Sequence, residues 1–260
     1  MNEKVTVLVT SYNCADTIRK CLQSILDQKT TFGFKIVVLD DGSTDRTYKV
    51  LEGISDYKLH IKYNPHKGLQ ESITRGLWEC DTEYVCTVGA DDYWLNARKL
   101  QMQVDYMEAN PEMGMCFTEA FARSEKGYYP VINNKPSLTY DQLLRRTAFV
   151  NITNMFRIDI LKQLNPDVFK KLWIYDYPLF LIYSIFSKIG YIPYVTGVFL
   201  LTSPESTTRT RSRSKRFKLL YGKYKMVWWF IMMYKPKPFT YLFLVYKLTR
   251  DIYSTIFKRW

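Results

Sequence analysis

Four short strand-like segments, the largely apolar Val5–Val9, Ile36–Leu39 and Tyr84–Val88 and the alternating Leu59–Tyr63, alternate with stretches whose apolar residues recur at helical spacing. Short runs rich in β-branched residues read as strands and the stretches between them as helices, so the alternation predicts an α/β fold with a mostly parallel sheet covered by helices. After the first strand and a turn at Ser11–Asn13, the positions Ile18, Cys21, Leu22, Ile25 and Leu26 outline a helix with Asp16 as its expected cap. A second helix is expected to about Leu51, and the four-residue spacing of Leu69, Ile73 and Leu77 marks a third. A fourth covers 95–109, with Leu100, Val104 and Met107 inward, and ends at Asn110-Pro111 because proline cannot continue it. Beyond this the pattern weakens: residues 115–150 read as irregular strands and loops, and 178–190 as a helix-like apolar segment ending at Gly190.

The residues that follow these strands carry the functional signal. Thr10 and Tyr12 follow the first strand, Asp40 and Asp41 the second, and Asp91 and Asp92 the fourth. In an open α/β sheet, ligands bind outside the carboxyl ends of the strands, so three loops are expected to converge on one edge. Adjacent carboxylates suit a hard cation and, through it, a phosphate-bearing substrate. Each pair taken alone equally suits a helix N-cap with first-turn charge. The combination of pairs at successive strand ends favours a binding site.

The segments Val5-Thr-Val-Leu-Val-Thr-Ser-Tyr-Asn13, Val38-Leu-Asp-Asp-Gly-Ser-Thr-Asp45 and Tyr84-Val-Cys-Thr-Val-Gly-Ala-Asp-Asp92 resemble, in order and spacing, the successive motifs of glycosyltransferase family 2. The likeness continues through Tyr175-Asp176 and Ser187–Ile192 and covers residues 4–206. It implies a single Rossmann-like nucleotide-binding domain of the glycosyltransferase A type, with a mostly parallel central sheet flanked by helices. It also implies a uridine- or guanosine-type diphosphate sugar as donor and Mn2+ or Mg2+ as cofactor. On this resemblance residues 1–206 form the catalytic domain, with 1–110 on the nucleotide-sugar side and 111–206 on the acceptor side.

Carried over position by position, the resemblance places Thr10 and Tyr12 in the base pocket, with Tyr12 stacking. Asp41 accepts a hydrogen bond from the base and Asp40 supports its loop. One of Asp91 and Asp92 serves the ribose and the other the metal. Lys67, in a glycine-bearing loop, or Arg75 faces the donor phosphates, and Asp176 is the general base. Trp173, Tyr175 and Tyr177 around Asp176 suit an apolar wall that raises a carboxyl pKa and stacks on a sugar face; a helix-capping Asp among core aromatics is the alternative. One base without a protein nucleophile agrees with single displacement and inversion at the anomeric carbon. Two departures from the family's pattern stand out: Gly89 replaces its first acid, and no histidine lies near Ser203–Ser206, where Glu205 is the substitute candidate. His60 and His66 read as structural or surface residues.

The net charge of +12 is confined to one end. Residues 209–260 hold 14 Lys/Arg against Asp251, leaving the first 208 residues at −1. The same segment holds 14 aromatic residues, Trp228, Trp229, Phe230 and Trp260 among them. That mixture suits the headgroup region of an anionic membrane, so residues 207–260 are expected to be a basic, aromatic, helical membrane-associating tail. Lys235-Pro-Lys-Pro238 is expected to divide it into two helices. Packing of its apolar face on the catalytic domain is the alternative. The arginines of Thr208–Arg216 also suit nucleic-acid phosphates, but a loop closing over a donor diphosphate uses both their charge and their place, and no nucleic-acid partner is expected.

The longest uninterrupted apolar stretch, Met226–Tyr234, is far short of the roughly 20 residues that cross a bilayer. The N-terminus shows no leader pattern, and five scattered cysteines suit reduced thiols better than disulfides. The expected setting is peripheral, on the cytoplasmic face of the inner membrane. The expected reaction extends a lipid-linked saccharide in surface polysaccharide synthesis, O-antigen or capsule. A non-catalytic nucleotide-sugar-binding protein and a membrane-surface scaffold remain the alternatives.

Overall fold

β1 (Glu3–Ser11), β2 (Gly33–Asp40), β3 (Leu59–Tyr63) and β4 (Tyr84–Gly89) pair in parallel in the order β3-β2-β1-β4. They are joined through α1 (Ile18–Leu26), α2 (Thr47–Glu52) and α3 (Leu69–Glu79). The computed structural model describes residues 3–66, 68–131, 138–145, 150–165, 176–201 and 213–257. β1, β2 and β4 are buried on both faces and need apolar side chains in both directions, which is why they read as apolar runs, whereas the edge strand β3 is largely exposed. Val5, Val7 and Val9 of β1 join one cluster with Ile18, Leu22 and Ile25 of α1, while Leu8 turns to the other face with Ile73 and Leu77 of α3. Gly76 lets α3 approach the sheet, since a Cβ there would stand 2.6 Å from Leu39 Cδ1.

The sheet continues with β5 (Tyr93–Trp94), β6 (Met113–Ser124), β7 (Gly127–Val131), β8 (Asn154–Arg157) and β9 (Lys188–Leu200). Between them lie α4 (Lys99–Ala109), α5 (Tyr140–Arg145), α6 (Ile158–Lys162) and α7 (Asp176–Phe186). The full order is β3-β2-β1-β4-β8-β6-β9-β5, with β7 on the outer part of β6. β8 is antiparallel to both neighbours, so β6 and β9 run in the direction of β1–β4.

Four local expectations are corrected or sharpened. The strands expected from 115 are present and longer than the weakened pattern suggests: β6 is a twelve-residue strand whose pairing with β9 shifts register, and the polar residues that interrupt its apolar pattern are satisfied across the ladder. There Thr118 Oγ1 lies 2.6 Å from Thr196 Oγ1, and Tyr191 donates its hydroxyl hydrogen to Glu119. The helix of 176–186 stops before Gly190, which lies in β9, where a Cβ would come within 2.3 Å of the Tyr106 ring. Asp16 does not cap α1; Thr17 precedes the helix and makes no side-chain cap bond. The fourth helix starts at Lys99 instead of 95, because the backbone at Leu95 donates to Thr196 of β9. The cysteines are all unpaired.

The tail forms two helices, α8 (Arg213–Tyr234) and α9 (Pro238–Phe257), parted at the lysine-proline sequence as expected. Its inner face is part of the core, however. Met226, Val227, Phe230 and Ile231 of α8 and Leu244 of α9 join the cluster that holds α7. Asp141 of α5 accepts hydrogen bonds from Lys237 N at 2.8 Å and Thr240 Oγ1 at 2.7 Å. Lys247 Nζ donates to the Arg145 carbonyl at 2.9 Å. No described helix is long and apolar enough to cross a membrane.

Candidate active site

The carboxyl ends of β1, β2 and β4 are level with one another. Thr10 pairs with Leu39 on one side and Gly89 on the other. Beyond the strands, Asp41 N donates to the Ser11 carbonyl at 2.9 Å and Ala90 N to the Thr10 carbonyl at 2.9 Å. Thr10 is buried, its hydroxyl directed at the Val88 carbonyl at 3.4 Å. Asp40, also buried, closes the turn after β2 by accepting from Ser43 N at 3.0 Å and Ser43 Oγ at 2.6 Å. Asn13, at φ 51°, ties the first loop to the second through Thr44 N, 2.8 Å from its Oδ1, and Ala15 N adds a bond to Asp45.

Asp41 is buried at the centre of this corner. Its Oδ1 accepts from Ser72 Oγ at 3.1 Å and its Oδ2 from Gly68 N at 3.1 Å, at the positive-φ turn that starts α3. His66 was read from the sequence as a structural or surface residue. Its Nδ1 lies 3.1 Å from the same Oδ2, and its ring stacks on Tyr12 with centroids 4.7 Å apart at 26°. Tyr12 and Asp41 are thus brought together, with His66 between them. No sequence signal marked His66, because its two partners are 54 and 25 positions away. Lys67 lies outside the described residues. Arg75 pairs with Glu79 at 3.8 Å along α3.

The second corner holds Asp91 and Asp92. Asp92 Oδ1 accepts from Leu200 N at 2.9 Å, tying the acidic turn to the end of β9. Burial, and then the neighbouring Asp91, push the Asp92 carboxyl well above the usual carboxylate range. Glycine at 89 leaves the space the two carboxylates use: a Cβ there would meet Asp91 Oδ1 at 2.7 Å and Asp92 Oδ2 at 3.5 Å. Both acids border a recess of about 100 Å³ that also has Asp16, Lys20, Tyr93 and Arg123 on its walls. Lys20 Nζ stands 3.4 Å from the centre of the Tyr93 ring. Lys20 and Arg123 were not singled out in the sequence, where a lone base on a helix or strand has no distinguishing pattern.

Among the described residues no group of three or more His, Cys, Asp or Glu is placed to hold a metal ion. Two adjacent carboxylates in an open recess fit a divalent cation that draws its remaining ligands from water and substrate phosphate, as Mg2+ characteristically does.

Asp176 is the first residue of α7, and its Oδ1 accepts from Tyr177 N at 2.7 Å. Burial raises its carboxyl pKa. Ser187, just past the far end of α7, lies against Gly114 at the start of β6. Tyr177 is no wall for a sugar: it is buried and donates its hydroxyl hydrogen to the Leu143 carbonyl at 3.0 Å. Trp173, Tyr175, Glu205 and Thr208–Ser212 lie outside the described residues.

Comparison with known proteins bears on the family and the fold. A stretch of 188 residues, 68% of this chain and 68% of the relative, is 29% identical to the Escherichia coli UDP-Glc:alpha-D-GlcNAc-diphosphoundecaprenol beta-1,3-glucosyltransferase WfgD. Another E. coli enzyme of the same description, WfaP, is 28% identical over 144 residues, 55% of this chain and 56% of that protein. The match thus spans little more than half of WfaP. In fold, the chain is similar to S. aureus TarS 1-349 in complex with UDP-GlcNAc, with a TM-score of 0.72 at 17% identity over 96% of this chain and 73% of that one. It is also similar to the mannosyltransferase PcManGT of Pyrobaculum calidifontis in complex with GDP-Man and Mn2+, with a TM-score of 0.59 at 18% identity over 97% and 70%. The model of glycosyl transferase family 2 matches residues 6–173, and the chain belongs to that family.

Proposed function

We propose that the protein is an inverting, metal-dependent glycosyltransferase that moves a sugar from a UDP-linked donor to a lipid-linked saccharide in bacterial surface polysaccharide synthesis, of the O-antigen or capsule kind. The observation that carries this reading is the convergence of Tyr12 with Asp41 and of Asp91 with Asp92 on the level ends of three adjacent parallel strands. The undecaprenol-linked acceptors named for WfgD and WfaP support the acceptor class, and the UDP-GlcNAc bound by TarS supports the donor class.

In this reading the base stacks on Tyr12 and bonds to Asp41, with Thr10, Asp40 and Lys67 shaping or lining the donor pocket. Asp91 and Asp92 divide the ribose and a Mn2+ or Mg2+ ion between them. A divalent cation held by this pair would offset the charge that develops on the departing diphosphate. Lys20 and Arg123 border the same recess and add positive charge there. Asp176 takes the proton from the acceptor hydroxyl as that oxygen attacks the anomeric carbon. The bond from that carbon to the diphosphate oxygen breaks on the opposite face, and the configuration inverts. A carboxyl raised by burial is a stronger base than a solvated one once ionised. Acceptors of this class sit at a bilayer, which supports a peripheral place on the cytoplasmic face of the inner membrane.

The test is transfer from a panel of UDP- and GDP-sugars to a polyprenyl-diphosphate acceptor carrying one sugar, with Mn2+ or with chelator. Metal-dependent product from one donor is expected. Absence of nucleotide release from every donor would replace this reading with that of a non-catalytic nucleotide-sugar-binding protein.

A further inference from the structure

We infer that the outward faces of α8 and α9 together form a docking surface for an anionic lipid bilayer. This deepens the reading above by naming the surface that brings the site to its acceptor. Each helix has already buried one face against the catalytic domain, yet each keeps large apolar side chains on the other. On α8 the exposed residues Phe217, Tyr221, Trp228 and Met232 are spaced by 4, 7 and 4 positions, a single stripe opposite the buried Met226 and Phe230. On α9 the exposed Phe239, Val245, Tyr246 and Ile252 lie away from the buried Thr240 and Leu244. Trp228, Met232, Phe239, Val245 and Tyr246 are each more than 60% exposed. Such density of exposed aromatic and apolar side chains marks an interaction surface.

Charge selects the partner. Residues 213–257 contain ten Lys/Arg and one acid, Asp251, which already accepts from Tyr224 OH at 3.0 Å and Arg250 Nη2 at 3.2 Å. Lys225 lies on the exposed stripe of α8, and Arg250 beside that of α9. A second copy of the chain would set these like charges against each other, whereas anionic headgroups complement them. Tryptophan and tyrosine, apolar bodies with a polar tip, sit at headgroup depth. The two helices, about 33 and 30 Å long, are suited to lying in the interface plane.

The experiment uses the full chain and vesicles of phosphatidylglycerol mixed with phosphatidylcholine, compared with phosphatidylcholine alone. The wild type is expected to cosediment with the anionic vesicles in a salt-sensitive manner and to ignore the neutral ones. Trp228→Glu/Met232→Glu and Phe239→Glu/Tyr246→Glu are each expected to lower partitioning at least about tenfold with unchanged thermal unfolding. Tyr57→Glu, at an exposed position on the catalytic domain, is expected to bind as the wild type does. Equal binding by the α8 and α9 variants, or no binding by the wild type, overturns the proposal. So does a wild-type dimer that these substitutions turn into a monomer while vesicle binding persists, since the face then belongs to a second copy. Failure of the transferase reading shows separately, as no transfer to a water-soluble short-chain acceptor.

Discussion

Truncating Phe230 to alanine measures how firmly the C-terminal helices belong to the domain. Phe230 is fully buried, edge-on to Trp229 at 5.0 Å and tilted against Tyr234 at 6.1 Å. Tyr234 in turn reaches Tyr140 of α5 and Phe186 of α7, so the ring is a link in a continuous aromatic contact between tail and domain. A buried phenylalanine removes roughly 150–250 Å² from water. At about 25 cal/mol per Å² that area corresponds to ~4–6 kcal/mol as an upper estimate, part of which alanine retains. The cavity left behind adds to the loss, and Phe→Ala in cores costs about 3–5 kcal/mol.

The expected loss for Phe230→Ala is therefore about 4 kcal/mol, roughly a thousandfold in the folding equilibrium. At a urea slope of about 3 kcal/mol/M the midpoint falls by more than about 1 M. Trp228→Ala, two residues away on the exposed stripe, is expected to stay within about 0.5 kcal/mol. Urea unfolding followed by circular dichroism decides the matter. A loss below about 1 kcal/mol for Phe230→Ala, or equal losses for the two variants, would refute the docking of α8 on α5 and α7 through this face.

Asp176→Asn is expected to lower kcat by roughly 10²–10⁴ while leaving UDP affinity unchanged, as read by steady-state kinetics and calorimetry. Because burial raises the Asp176 pKa, the acidic limb of kcat against pH in the wild type is expected above the usual carboxylate range. Asp92 gives a stability signature independent of turnover. With a folded pKa well above the ordinary carboxylate value that the unfolded chain keeps, the native state binds a proton that the unfolded state has lost, so between those values the metal-free fold loses stability as pH rises. Thermal melts at pH 7.5 are expected to show stabilisation by Mn2+ in the wild type that is lost in Asp91→Asn or in Asp92→Asn, and the metal-free melting temperature of Asp92→Asn is expected to equal or exceed that of the wild type. A chelator-insensitive wild type, or Asn variants that both still respond to Mn2+, contradicts the assignment of the ion to this pair.

The first half of the fold was legible because its signals are local. A parallel strand covered on both faces needs apolar residues in succession, so β1, β2 and β4 could be read from a few adjacent positions, as could the acids that follow them. The pairs Asp40-Asp41 and Asp91-Asp92 stood at strand ends in the sequence and stand there in the fold. The second half was less legible because its order comes from partners far apart in the chain. β6 is a strand through its ladder with β9, and Thr118 and Glu119 interrupt its apolar pattern because Thr196 and Tyr191 satisfy them.

The sequence by itself determined the alternation of strand and helix, the position of the acidic turns and the confinement of positive charge to residues 209–260, all of which depend on neighbours in the chain. Tertiary structure alone decided which side chains meet. It set His66 between Tyr12 and Asp41, and Lys20 and Arg123 beside Asp91 and Asp92. It also buried Lys99 under the Trp94 ring, hydrogen-bonded to Gln103, where composition would have left a lysine in water. For the tail, sequence specified an aromatic, basic pair of helices but not which aromatic faces inward. Phe230 and Trp228 are of one kind in the sequence, and only the surface of α5 and α7, built from residues some ninety and fifty positions earlier, buries the first and leaves the second exposed.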